Sequence, residues 1–187
     1  MKETPNTPTE DAERPRQSMT MMELAEKDQR VPLIDYINHT KERYKNEGVT
    51  VDNFRYFPAT DTEPSKVEIT FTPARDQEGH HGISHGGIST FMIDSSAGAF
   101  AMSVGKPNQV AITNEHLNIK FPGFVRTGVP VRVVSRKATD VELKEEEDKG
   151  LILDKRQTFV HTDVIQDGEV VTSGKTVCSS IPNRALK

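Results

Sequence analysis

One apolar helical segment has to serve the buried faces of four long strands, and that imbalance constrains the fold more than any other feature of the chain. Residues 109–121, 129–140, 151–166 and 169–179 alternate apolar and polar side chains with a period of two, which reads as strand after strand. Asp167-Gly168 joins the last two as a tight hairpin turn. Two shorter strands, 53–59 and 65–72, come earlier, linked by the turn-forming Asp61-Thr62-Glu63-Pro64. Between the two sets lies residues 88–104, where Ile88, Phe91, Met92 and Met102 recur at helical spacing. Its second half, residues 95–101, is nearly all small, which suits a helix approached closely on several sides. An antiparallel sheet wrapped around that one helix satisfies both elements and predicts an α+β fold. The outer face of such a sheet stays partly exposed, so pairing of subunits is expected.

Three segments follow from composition. Residues 1–18 carry three prolines and alternating charges with almost nothing apolar, and read as a disordered tail. Residues 19–50 read as a helical extension with a break, because Val31-Pro32 restarts the helical pattern and Gly48 stops it. Residues 51–182 form the main domain. The net charge of −4 and the lack of a basic run argue against nucleic acid. No run approaches the roughly 20 apolar residues of a membrane span. The acidic, proline-bearing start is unlike a targeting peptide. The single cysteine, Cys178, fits a reducing compartment and a packing role, so a cytoplasmic location is expected. The charged run 142–149 reads as a solvated connection.

The chemistry concentrates in Gly79-His80-His81-Gly82-Ile83-Ser84-His85-Gly86-Gly87, which opens into the central helix. A helix start leaves backbone N–H groups unpaired at the positive end of its dipole, and glycines leave them open to approach. Such a site suits a carbonyl oxygen gaining negative charge. Asp94 follows Gly87 by seven residues, about two helical turns, and so shares its face. A carboxylate on so apolar a helix is partly desolvated and suits a general base or nucleophile. Turn chemistry alone also explains paired glycines before a helix. The histidines at 80, 81 and 85 invite a metal reading, but no cysteine or second spaced His pair supports the three or four ligands zinc needs.

Gly82-Ile83-Ser84-His85-Gly86-Gly87, then Asp94, resembles the G-x-x-H-G-G-(x)6-D signature of hotdog-fold thioesterases of the phenylacetate-pathway, 4-hydroxybenzoyl-CoA thioesterase-like family. The resemblance covers about residues 51–181 and includes Leu117-Asn118-Ile119-Lys120-Phe121 after the helix. It implies a hotdog fold and an acyl-CoA thioesterase, with no metal or redox cofactor. It implies that the Gly87 N–H polarises the thioester carbonyl, that His85 holds the loop and contacts substrate, and that Asp94 acts from the partner subunit. Gly86, His81, Gly82 and His116 complete the substrate-binding set. The active unit is then a homodimer or homotetramer with its sites at the subunit interface.

Two departures from that pattern stand out. Gly79 occupies the position where the family often has Asn, and Asn114, beside Thr113, stands where the family has an assisting Ser or Thr. Strict alternation puts Asn114, His116 and Asn118 on one strand face, so Asn114 is expected to hydrogen-bond Asp94 or a water, with His80 or His81 covering for the missing Asn. Lys120, Arg126, Arg136 and Lys137 are the basic residues placed to meet CoA phosphates. The same departures motivate two alternatives: a hotdog protein that binds an acyl-CoA or small ligand without turnover, or a biosynthetic enzyme acting on a carrier-bound acyl chain. Hotdog hydratases resemble this chain in fold but need a paired Asp and His in a different arrangement, which the sequence does not reveal.

Overall fold

The computed structural model describes residues 18–183, so all but the last residue of the 1–18 tail lies outside the described residues. The chain begins with a short strand, β1 (Met19–Thr20), then α1 (Met21–Lys27) and α2 (Val31–Asn46), with Pro32 in the first turn of α2. Thr20 caps α1 through a reciprocal pair with Glu23. Gly48, at φ +69°, makes the turn out of α2 that a side chain would strain. Strands β2 (Val49–Phe57) and β3 (Lys66–Pro73) follow, then a small hairpin of β4 (Glu78–His80) and β5 (Ile83–Ser84). The central helix α3 (Gly86–Val104) leads into β6 (Gln109–Lys120) and β7 (Val131–Lys137). Helix α4 (Asp140–Glu147), β8 (Gln157–Gln166) and β9 (Glu169–Pro182) close the chain.

Seven strands form one antiparallel sheet in the order β1-β2-β3-β7-β8-β9-β6, curved around α3. The α+β expectation therefore holds, and the expected Asp167-Gly168 turn is present with both residues at positive φ. Every residue of α3 from Ser95 to Ser103 is buried. The sheet covers one side. On the other, α2 lies so close that a Cβ on Gly98 would sit 2.8 Å from the Tyr36 hydroxyl. That hydroxyl donates to the Ser95 carbonyl at 2.8 Å, and the Tyr44 hydroxyl donates to the Phe91 carbonyl at 2.6 Å. Arg30, between α1 and α2, donates to the carbonyls of Met102 and Gly105, where the negative end of the α3 dipole favours a cation. Apolar side chains of α1, α2, α3 and the sheet merge into one core.

The charged run is not a solvated connection: residues 140–147 form α4, with Thr139 and Glu142 as a capping box. The cause lies across the sheet. Arg136, His161 and Lys175 are direct cross-strand neighbours on β7, β8 and β9, a row of basic side chains on the face turned away from α3. Helix α4 sets its acids over that row. Arg136 makes a two-pronged bond to Glu142 at 2.8 and 3.0 Å, the His161 Nδ1 lies 2.6 Å from Glu142, and Lys175 reaches Glu146 at 2.9 Å. Glu146 is buried, with Asn118 also donating to it. The strand expected from residue 151 begins only at Gln157, because Leu151 and Leu153 instead pack with Leu143 of α4 onto Phe159 and Val177.

Burial works against charge on Glu142, yet the Arg136 guanidinium, the Thr139 backbone and hydroxyl donors and His161 outweigh it and hold the carboxyl at about 2, below its ordinary 4.5. Because the folded pKa is depressed, this contribution is complete above the unfolded value and lost as pH falls from about 4.5 toward 2. Melting temperature measured across that window should fall for the wild type. Glu142→Gln should start lower at neutral pH and show a shallower acid decline.

Candidate functional site

The N-terminus of α3 is built by the hairpin before it. The Ser84 N–H donates to the Val125 carbonyl at 2.8 Å and the His85 N–H to the Gln77 carbonyl at 3.0 Å, which fixes the approach into the helix. His85 is the N-cap, and its Nδ1 accepts from the Gly87 N–H at 3.0 Å. The helix thus starts two residues earlier than periodicity predicts, because both glycines lie inside it. The donor expected to meet a carbonyl is covered by the His85 side chain. A Cβ on Gly79 would lie 3.3 Å from the His85 Cα, tighter than ordinary contact, so the residue standing in the Asn position lets the hairpin close on His85. A cavity of about 500 Å³ opens beside this turn, walled by His80, Ile83, Ser84, Gly86, Phe121 and Phe124.

Asp94 projects from the middle of α3 toward β6. Its Oδ1 accepts from the Thr113 hydroxyl at 2.6 Å and lies 3.3 Å from His116 Nε2. The other ring nitrogen of His116, Nδ1, lies 3.2 Å from the hydroxyl of the buried Thr176. A carboxylate, an imidazole and two hydroxyls therefore form one chain from the helix to β9. Within a single chain the Asp94 side chain is 36% exposed and that of His116 28%.

The hydrogen bond expected of Asn114 is made by Thr113 instead. Thr113 pairs with Cys178 and Glu115 with Val177, so Asn114 is a bulged residue with no cross-strand partner. One extra residue reverses the alternation beyond it, which brings Thr113 and His116 to the same face and leaves Asn114 exposed. The bulge thus brings Asp94 and His116 together, a contact that strict alternation along β6 does not predict. Their 22-residue separation carries no local signal, and only the bulge aligns them.

The remaining candidates separate. His80 borders the cavity, whereas His81 is exposed beside Glu78, at 3.6 Å, and Gly82 forms the hairpin turn at φ +74°. Among the described residues, no three His, Cys, Asp or Glu side chains come together as a metal site. Arg126 and Arg136 are paired with Asp167 and Glu142, while Lys120 and Lys137 are exposed. His161 sits between Glu142 and Asp163 on the outer face. No described helix is long and apolar enough to cross a membrane.

No protein-family profile matches the chain, and no curated protein matches it. Solved structures do. A thioesterase of Haemophilus influenzae is 13% identical with a TM-score of 0.56, covering 90% of this chain and 94% of that one. A thioesterase family protein of Silicibacter pomeroyi is 16% identical with a TM-score of 0.56, covering 80% and 98%. A phenylacetic acid degradation-related protein of Ralstonia eutropha is 16% identical with a TM-score of 0.54, covering 74% and 89%. Identities this low define a shared fold: the chain is a hotdog-fold protein.

Cys178 lies at the back of the Asp94 cluster, fully buried. Burial pushes its thiol up to about 12, with Asp94 adding to the rise and a Thr113 contact opposing it, so the nucleophilic thiolate is absent near neutrality. In the native protein an aromatic disulfide reagent should leave Cys178 unmodified over hours, and in denaturant it should titrate one thiol per chain at once.

Proposed function

We propose that this protein hydrolyses acyl-CoA thioesters, at sites formed between two copies of the chain. The observation that carries the reading is the Asp94 carboxylate, oriented by Thr113 and His116 on the helix whose glycine-lined start faces a cavity. Seven residues at about 1.5 Å rise put roughly 10 Å between Gly87 and Asp94 along one α3, too far for both to act on one carbonyl. Two copies solve this if the Asp94 of one faces the α3 start of the other. Strand β6 offers the contact, since it is a 12-residue edge strand that carries the exposed Ile112 and is followed by the exposed Phe121 and Phe124.

In the reaction Asp94 takes a proton from water as the oxygen bonds to the thioester carbon. Charge moves onto the carbonyl oxygen, which the backbone N–H groups at the start of α3 receive. The C–S bond then breaks, the thiolate takes up the proton that Asp94 carried, and the free thiol and the acid leave, the acid losing its own proton to solvent as the carboxylate. Substrate binding must first turn the His85 imidazole off the Gly87 N–H. Thr113 and His116 keep the carboxylate aimed, and the reduced, buried Cys178 suits a cytoplasmic location.

Free thiol released from short, long and aromatic acyl-CoAs should drop 10²-fold or more in Asp94→Asn, as expected on removing a general base. Thr113→Val should lower kcat about 10-fold through a misaimed carboxylate, and Asn114→Ala should stay within about twofold of wild type. Wild-type silence on every acyl-CoA, with the protein folded and dimeric by light scattering, would turn the reading to a binding protein.

A further inference from the structure

We propose that Thr176 is a positioning residue: its buried hydroxyl fixes His116 as the neutral imidazole with its proton on Nε2, and that proton holds one oxygen of Asp94 so that the other is left for the reactants. This rests on the hydrolase reading above and concerns the base of the same site.

Thr176 and His116 are direct cross-strand neighbours on β9 and β6, and the Asn114 bulge is what turns His116 to the side of Thr113. Thr176 is fully buried, and its Oγ1 lies 3.2 Å from His116 Nδ1. A buried hydroxyl proton needs an acceptor. Elsewhere in the core that acceptor is a carbonyl or another hydroxyl: Ser103 donates to the Ala99 carbonyl at 2.7 Å, and Ser135 to the Ser96 hydroxyl at 2.8 Å. Thr176 has neither, and among the described residues the only hydrogen-bond partner of its hydroxyl is His116. The ring nitrogen therefore accepts, because a protonated Nδ1 would leave the hydroxyl proton without a partner. A neutral imidazole that accepts at Nδ1 carries its proton on Nε2.

Nε2 is the nitrogen that faces Asp94, 3.3 Å from Oδ1. The same oxygen accepts from the Thr113 hydroxyl at 2.6 Å. Two side chains of β6 thus hold one carboxylate oxygen, and no described residue bonds Oδ2. In the opposite tautomer a lone pair on Nε2 would face the carboxylate, and repulsion would turn one of the two groups away. Exposure rises along this series, from buried Thr176 through His116 to Asp94, so the residue that fixes the ring proton lies behind the one that would meet water. A hydroxyl in the core thereby determines which oxygen of a part-exposed carboxylate is free to act as base.

The test reads the ring directly, by nitrogen–proton correlation spectra of the full chain carrying isotope-labelled histidine, at a pH above the ordinary imidazole range. The His116 signals are those missing from His116→Asn. In wild type they should show a proton on Nε2 and none on Nδ1. Thr176→Val should move the Nδ1 resonance toward that of a free ring nitrogen and lower kcat on acyl-CoAs about 10-fold, with KM within about twofold of wild type. Thr176→Ser, which keeps the hydroxyl, should restore both. A wild-type His116 protonated on Nδ1 or on both nitrogens overturns the proposal, whether or not the variants fold. So does a folded Thr176→Val in which either the Nδ1 signal or kcat stays at its wild-type value, since the hydroxyl then only packs. If wild type cleaves no acyl-CoA, the hydrolysis reading fails on its own. The spectra then decide for Thr176: an Nε2-protonated ring whose Nδ1 signal depends on the hydroxyl sustains the proposal, and any other spectrum ends it.

Discussion

The structure depends on burying the second half of α3 from all sides at once. A helix that lies between a curved sheet and a second helix has no solvent face, so the residues along it must be small enough for both neighbours to approach. Apart from Phe100 and Met102, Ser95 to Ser103 meet that demand, and a Cβ added at Gly98 would sit only 2.8 Å from the Tyr36 hydroxyl, which shows how little room is left. Burial of polar atoms brings its own requirement. The serines of α3 and its carbonyls near the middle are answered by tyrosine hydroxyls from α2 and by hydroxyls from β7 and β8. The extension before the main sheet is therefore the second wall of the helix that carries Asp94, sharing one core with it.

Held this way, α3 presents two chemically distinct places. Its start is open, glycine-lined and capped by His85, and its middle carries Asp94 against β6. The rise of the helix separates them by roughly 10 Å, too far for both to meet one small group. The bulge at Asn114 is equally consequential. It places Thr113 and His116 on the carboxylate together, and it does so in the edge strand, where an interrupted ladder disturbs only one neighbour.

The outer face follows a different logic. A cross-strand row of Arg136, His161 and Lys175 would repel itself if left bare, and α4 covers it with Glu142, Glu145 and Glu146. This makes the sheet's two faces unlike: hydroxyls and small apolar residues toward α3, ion pairs toward α4. The candidate site sits on the first, and the depressed Glu142 carboxyl on the second.

Much of this was legible in the residues. Period-two and period-3.6 patterns, the break at Val31-Pro32, the Asp167-Gly168 turn and the run of small residues in α3 each report a local preference, and local preferences survive into the fold because the core uses them. The motif from Gly82 to Asp94 likewise lies within one turn and one helix, so its spacing was readable. What only the tertiary structure decided is what joins elements distant in sequence. The Asn114 bulge broke the alternation that assigned faces on β6, so Thr113 replaced Asn114 at Asp94 and His116 joined it. The acids of residues 142–146 were read as solvated because their partners lie on three different strands. The sequence determined which segments would be helix and strand, since those choices depend on near neighbours. Which side chains meet was decided by strand register and by the packing of α2 and α4, since those depend on pairings that no stretch of the chain contains by itself.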